Sequence, residues 1–312
     1  MSFGGFEASD FDAYVEKKQG SNVFTLERRK GRDKLLQVAR RAQDSHAELL
    51  KGLDLETTED APSVANGRKV KFMAAYFVRP PHVRVGLKEL RQTNLGAGAS
   101  LFEIAVHQQH AILEIRLDTA GLRIGVRVPG NAKVDRENIA EKLALPWARQ
   151  DLLNAFRLLP PDTRVGFEGE PATVEATGLD ALKSWAEAIE HDPTTWIVEC
   201  AIDRADPRLG AEGWEEEAAK LVGAFAPVLM QLAWSKANDH TRVQDVVDKR
   251  VEEQSQQKHP KGLTAGERVT ILTGLFAGRA GYLVELDGKG KAKVSVGPVT
   301  INADVSDLKP AS

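Results

Sequence analysis

The spacing of apolar residues changes along the chain, and each change marks a different kind of element. From Asp33 to Lys51, Leu35, Leu36, Val38, Ala39, Ala42, Leu49 and Leu50 fall mainly on one helical face, which predicts a helix. Residues Leu53–Arg68, rich in Glu, Asp, Thr, Pro and Gly, read as a loop. Between Lys69 and Pro129 the runs shorten and become β-rich, predicting strands at Val70–Val78, His82–Leu87, Leu101–Val106, Ala111–Leu117 and Leu122–Val128. Asp118-Thr-Ala-Gly121 joins the last two as an antiparallel hairpin.

Helical spacing returns at Asp135–Leu145, with Asp135 as its cap, and at Pro146–Leu159, which opens on a proline and is stopped by Pro160-Pro161. Short strands at Thr163–Phe167 and Ala172–Glu175 lead to a helix at Gly178–His191, where Thr177 and Asp180 have capping-box spacing. A strand at Thr195–Ile202 and a long helical stretch, Ala211–Lys236, kinked or divided near Pro227, follow. Clustered strands followed by helices favour an α+β layer over a regularly alternating parallel sheet.

Beyond this body the chain turns polar. Val243, Val246, Val247 and Val251 leave a thin apolar stripe, and residues 252–262 have almost nothing to bury, so they read as an exposed linker. Short β-like runs then return at Arg268–Leu272, Gly281–Leu286, Lys291–Val296 and Val299–Ala303, punctuated by glycine-rich turns. The pattern divides the chain into a basic helical segment (1–66), an α+β domain (67–236), a partly helical polar linker (237–262) and an all-β unit (263–312). A unit as small as the last buries little surface, and closing its strands into a barrel is the better way to pair their edges.

Gly266, Val269, Gly274, Phe276, Gly278 and Gly281 carry a specific combination: a Gly-x-x-Val opening, a Gly-x-Phe-x-Gly loop and a further glycine before an apolar strand. At about 263–310 the sequence closely resembles the KOW motif, most of all the C-terminal domain of NusG-type transcription factors. The resemblance does not extend upstream. It implies an SH3-like barrel that binds RNA, an RNA polymerase, a ribosomal component or another protein.

Composition adds limits. Apolar residues make up 42% and charged residues 28% of 312, enough for a proper core. The formal net charge of −3 means that attraction to nucleic acid has to come from local clusters. One such cluster lies near the N-terminus, where Arg28, Arg29, Lys30, Arg32, Arg40 and Arg41 greatly outnumber the nearby acids. They form either a clamp on RNA or DNA phosphates or a solvated helical face paired with the acidic stretches Glu56–Asp60 and Glu215–Glu217. In the C-terminal unit Arg279, Lys289, Lys291 and Lys293 could hold a phosphate backbone, or the lysines could guard a strand edge against aggregation. Phe276 either anchors a partner or closes the barrel.

The lone Cys200 allows no internal disulfide and no zinc-cysteine cluster, and its apolar strand predicts a buried, inert thiol in a reducing cytoplasm. His107 and His110 lack the third ligand a metal needs. No phosphate-loop or nucleophile-elbow motif is present. No stretch reads as a signal peptide or membrane span. The expectation is a non-enzymatic, cytoplasmic binding protein of the transcription or translation machinery, without cofactor or metal, whose KOW module is tethered to the body. The alternatives are a protein-interaction adaptor, or an enzyme whose site is assembled within residues 69–236 from groups such as Glu168, Glu170, His107 or Asp203.

Overall fold

The computed structural model describes residues 3–92, 104–241, 265–274, 276–286, 291–297 and 299–311. The chain separates into two compact units, Met1–Thr241 and Arg242–Ser312. Of the polar linker, residues 242–262 lie outside the described residues.

The larger unit is built on a seven-stranded antiparallel sheet of β1 (Asp54–Thr57), β2 (Met73–Val78), β3 (Ile112–Leu117), β4 (Gly121–Val128), β5 (Arg164–Phe167), β6 (Ala172–Thr173) and β7 (Trp196–Asp203). The spatial order β1-β2-β3-β4-β7-β5-β6 places the last strand in sequence between β4 and β5. One face is wholly apolar: Ala75 and Phe77, Leu113 and Ile115, Ile124 and Val126, and Val198 are all buried. Alternation requires this of a half-buried strand, because every second side chain points to the same side.

Two long helices cover that face. Helix α3 (Thr25–Ser45) contributes Leu35, Val38, Ala39 and Ala42, and α9 (Trp214–Leu232) contributes Val222, Phe225, Ala226 and Leu229. Short helices α1 (Ala8–Asp12) and α2 (Glu16–Gln19) precede α3, and α4 (Ala47–Leu50) follows it. Helices α6 (Lys133–Ala144), α7 (Pro146–Phe156) and α8 (Leu179–Ala188) extend the same core through Ile139, Leu152, Phe156 and Leu182.

Several expectations change. The predicted strand His82–Leu87 is part of helix α5 (Pro81–Gln92). Pro81 suits a first helical turn, and Leu87 is buried while Val85 is 55% exposed, which a helix permits and a one-faced strand does not. The predicted loop Leu53–Arg68 contains edge strand β1, and helix α3 begins at Thr25, ahead of its apolar stripe. Of the predicted strand Leu101–Val106, Leu101–Glu103 lie outside the described residues, and Val106 opens a 3₁₀ turn, Val106–Gln108. Asp135 lies inside α6 and not at its cap, Gly178 precedes α8 without a side-chain cap, and α9 runs through Pro227 as one helix.

The smaller unit contains only strands and a 3₁₀ turn among its described residues. Strands β8 (Arg268–Ile271), β9 (Ala280–Leu286), β10 (Lys291–Val296), β11 (Val299–Asp304) and β12 (Leu308–Pro310) form an antiparallel sheet in the order β11-β10-β9-β8-β12. The sheet does not close, and β11 and β12 are its edges. Val269, Ile271, Leu283, Ala292, Val294 and Leu308 form its core. Gly281 is needed for contact: a Cβ there would lie 2.6 Å from the Ser295 carbonyl oxygen. Gly274 and Gly278 are needed for conformation, with φ of +81° and +80° in the turn between β8 and β9.

Candidate functional site

The outer face of the larger sheet is charged where the inner one is apolar. Strand register lines up Glu56, Tyr76, Glu114, Gly125, Glu199 and Arg164 in one row across six strands. Gly125 leaves the centre of this row open, and no side chain fits there, since a Cβ would sit 2.1 Å from the Val198 carbonyl oxygen. The gap is flanked by Arg127, in the neighbouring outward position of β4.

Arg127 is the hub of an ionic array. Its Nε lies 3.2 Å from Glu114 Oε1, its two terminal nitrogens donate to Glu168 at 3.2 and 3.1 Å, and Glu199 is 4.0 Å away. Arg164 donates to Glu199 from the other side, and Asp118 sits between Arg116 and Arg123 at 3.6 and 3.7 Å. Burial raises the pKa of Glu114 despite Arg127 and Arg116. Burial also opposes the charge on Arg127, but Glu114 and Glu168 outweigh it and raise its pKa. For Glu168, burial is outweighed by the hydrogen bonds from Arg127, and its pKa falls.

The array thus sets four arginines among four carboxylates. Its centre is occupied by a guanidinium, and no group of three or more His, Cys, Asp or Glu among the described residues could hold a metal ion. Such an arrangement fixes the sheet's outer face electrostatically, and it offers no base poised beside a nucleophile. Of the residues considered for an assembled enzyme site, Glu168 binds Arg127 and His107 lies on the same face. Glu170 is exposed in the loop after β5, and Asp203 ends β7 opposite Gly121.

The two histidines diverge. The His107 ring packs against Phe72 and Tyr76, with centroids 6.1 and 5.7 Å away, and burial together with Arg127 and Arg116 lowers its pKa to about 4. His110 is buried with its Nδ1 3.2 Å from Arg79 Nη2. Cys200 is buried beside Thr163, and burial raises its pKa, which matches an inert thiol.

The N-terminal basic cluster lies along α3, and the structure separates its members. Arg28 is fully buried and donates to the carbonyl oxygens of Lys18, Ser21 and Asp60. This corrects its place in a phosphate clamp, because its donors already serve the fold. Arg29 and Arg32 both reach Asp60, at 3.1 and 2.7 Å, and Arg41 pairs with Glu216. Lys30 and Arg40 are exposed, without an ion pair among the described residues. Three of the six, Arg29, Arg32 and Arg41, thus pair with the acidic stretches.

In the smaller unit, Phe276 is half-buried against the core and Arg279 is exposed just ahead of β9. Lys289 lies outside the described residues. Lys293 donates to Glu285 at 2.7 Å, which raises its pKa, and Lys291 stands opposite Asp304. Sequence reading missed the row beside them: Arg268, Tyr282, Ser295 and Thr300 are cross-strand partners on the outward face of β8, β9, β10 and β11. Tyr282 is 59% exposed. Lys309, outward on β12, stands opposite Thr270, and neither Arg268 nor Lys309 has an ion pair among the described residues. The carboxylates of this face, Glu285 and Asp304, stand at its other end, opposite lysines.

No protein-family model and no curated protein matches the chain.

Proposed function

We propose that the protein is a non-enzymatic nucleic-acid-binding protein whose C-terminal unit, an SH3-like module of KOW type, lays a single strand of RNA or DNA across β8, β9 and β10. The carrying observation is the exposed Tyr282 ring beside Arg268, which has no ion pair among the described residues, with Lys309 one strand further. Aromatic rings on strands accept bases by stacking, and neighbouring cations accept the phosphates. The strand order, the 3₁₀ turn Val305–Asp307 before β12 and the glycines of the β8–β9 turn support the KOW reading. That reading connects the protein to the transcription or translation machinery and to the cytoplasm. No described helix is long and apolar enough to cross a membrane.

The test is fluorescence anisotropy of the full chain with a labelled single strand of about 10 nucleotides, within the usual site size of one small β-module. Tyr282→Ala is expected to weaken binding by about fivefold to 150-fold, the range for loss of one base stack. Lys309→Ala should lower the slope of log affinity against log salt by about 0.7. Affinity unchanged in both variants would sink the proposal.

A second reading rests on Leu272, Val284 and Val299, which are 51%, 51% and 46% exposed on the same small unit. Such apolar exposure suits a protein partner. Loss of a nuclease-resistant complex in Val284→Asp, with nucleic-acid binding absent from the wild type, would favour it.

A further inference from the structure

We infer that the larger unit carries a separate small-molecule site, a cleft on the outer side of its sheet that takes an apolar molecule bearing one positive charge. The cleft has a volume of about 490 Å³, within the range of ligand sites, and lies between the end of β1, β2, the first turns of α5 and the 3₁₀ turn Val106–Gln108. Its walls are mostly apolar, with Pro81, Val85, Ile104, Ala105 and Val106 prominent. Val85 and Ile104 are 55% and 42% exposed, so apolar surface faces the open space.

Charge decides the class of ligand. Arg84 also lines the cleft, but its guanidinium is neutralised by Glu56 at 2.6 Å, and the same carboxylate accepts the Tyr76 hydroxyl at 3.2 Å. His107 is neutral near pH 7, for the reasons of burial and nearby arginines given above. Asp60, just beyond the rim, is held by Arg29 and Arg32. Glu59 differs from all of these. It is exposed at the rim, and among the described residues its carboxylate accepts hydrogen bonds only from the neutral Ser63 hydroxyl and Asn66 amide and forms no ion pair. A mainly apolar cleft with one uncompensated carboxylate complements an amine on a hydrophobic body. The Tyr76 ring also lines the cleft, and an aromatic face of this kind attracts a cation. This site is independent of the nucleic-acid reading and lies in the other unit.

The experiment uses 2-phenylethylammonium and its anionic counterpart phenylacetate as probes of the full chain, followed by ligand-observed saturation-transfer NMR. The amine is expected to bind and phenylacetate not. Glu59→Gln should weaken the amine about twofold to fivefold, the worth of a partly exposed ion pair. Val85→Trp, at an exposed helical position, should abolish binding by filling the cleft. Both variants are checked by circular dichroism, and Glu59→Gln remains informative if the tryptophan disturbs folding. Equal binding of the anion, or no effect of Glu59→Gln, overturns the charge assignment. Failure of both probes, or amine binding unchanged in a folded Val85→Trp, overturns the site.

Discussion

Arg79 and Asp135 form an ion pair sealed from solvent, with side-chain exposures of 7% and 1%. Asp135 also accepts the backbone N–H of Ala111 and of Trp234, and Arg79 donates to the Trp234 carbonyl oxygen at 2.9 Å. One carboxylate thus binds the residue after β2, the start of β3 and the chain leaving α9. Removing one partner strands a buried charge, so Asp135→Ala should cost about 3–5 kcal/mol. Urea denaturation of the larger unit checks this, and a loss below about 1 kcal/mol would contradict the role given to the pair.

Arg28 and Arg40 share a helix and a charge but not a role. Arg28→Ala removes three hydrogen bonds to carbonyl oxygens, and each hydrogen bond from a charged group is worth about 1.5–3 kcal/mol. The variant should lose several degrees in thermal midpoint. Arg40→Ala, at an exposed position, should leave that midpoint unchanged.

His107 gives stability a pH dependence with a definite sign. Its pKa falls from 6.5 when unfolded to about 4 when folded, so between these values the unfolded chain binds the extra proton. Its contribution is present above pH 6.5 and is lost as pH falls toward 4. Glu114, whose pKa is raised, acts in the opposite sense, favouring the fold on its acid side. Comparing wild type with His107→Gln isolates the histidine: on moving from pH 7 to pH 5 the wild type should lose more stability than the variant in matched denaturation curves.

Gly281 and Gly274 test the smaller unit for two different reasons. Alanine at 281 puts a methyl group against the Ser295 carbonyl oxygen and the Val294 side chain, at 2.6 and 2.7 Å. Alanine at 274 meets open space and carries only the cost of positive φ, about 1–2 kcal/mol. Hydrogen exchange should therefore rise across β9 and β10 far more in Gly281→Ala than in Gly274→Ala. Similar exchange in the two would argue against close strand packing at Gly281.

Local periodicity revealed which residues leave the core more readily than what they meet. The alternation in β3 and β4 already turns Glu114, Arg116, Arg123 and Arg127 away from the apolar face. Of their carboxylate partners, Glu168 lies beyond two intervening helices and Glu199 beyond three, and no local spacing gives that register. Tyr282 is a similar case: alternation directs it outward, but its place beside Arg268 depends on how β8 and β9 pair. Helix α5 was hidden because Val83, Val85 and Leu87 also satisfy a two-residue period. Strand β1 was hidden by the polar residues suited to a sheet edge. The α3 arginines were legible as charges, and their burial or pairing followed only from where Lys18, Asp60 and Glu216 lie in space.

The position of β7 in the sheet bears on synthesis as well as on structure. Strands β1 to β4 can pair as they emerge, and β5 can pair with β6, but the strand that joins these two groups is made only at residues 196–203. Until then a nascent chain presents two unfinished sheets, each with an unpaired apolar edge of the kind that invites misassociation. The arrival of β7 joins the two groups into one sheet, and α9, made later still, then covers its apolar face.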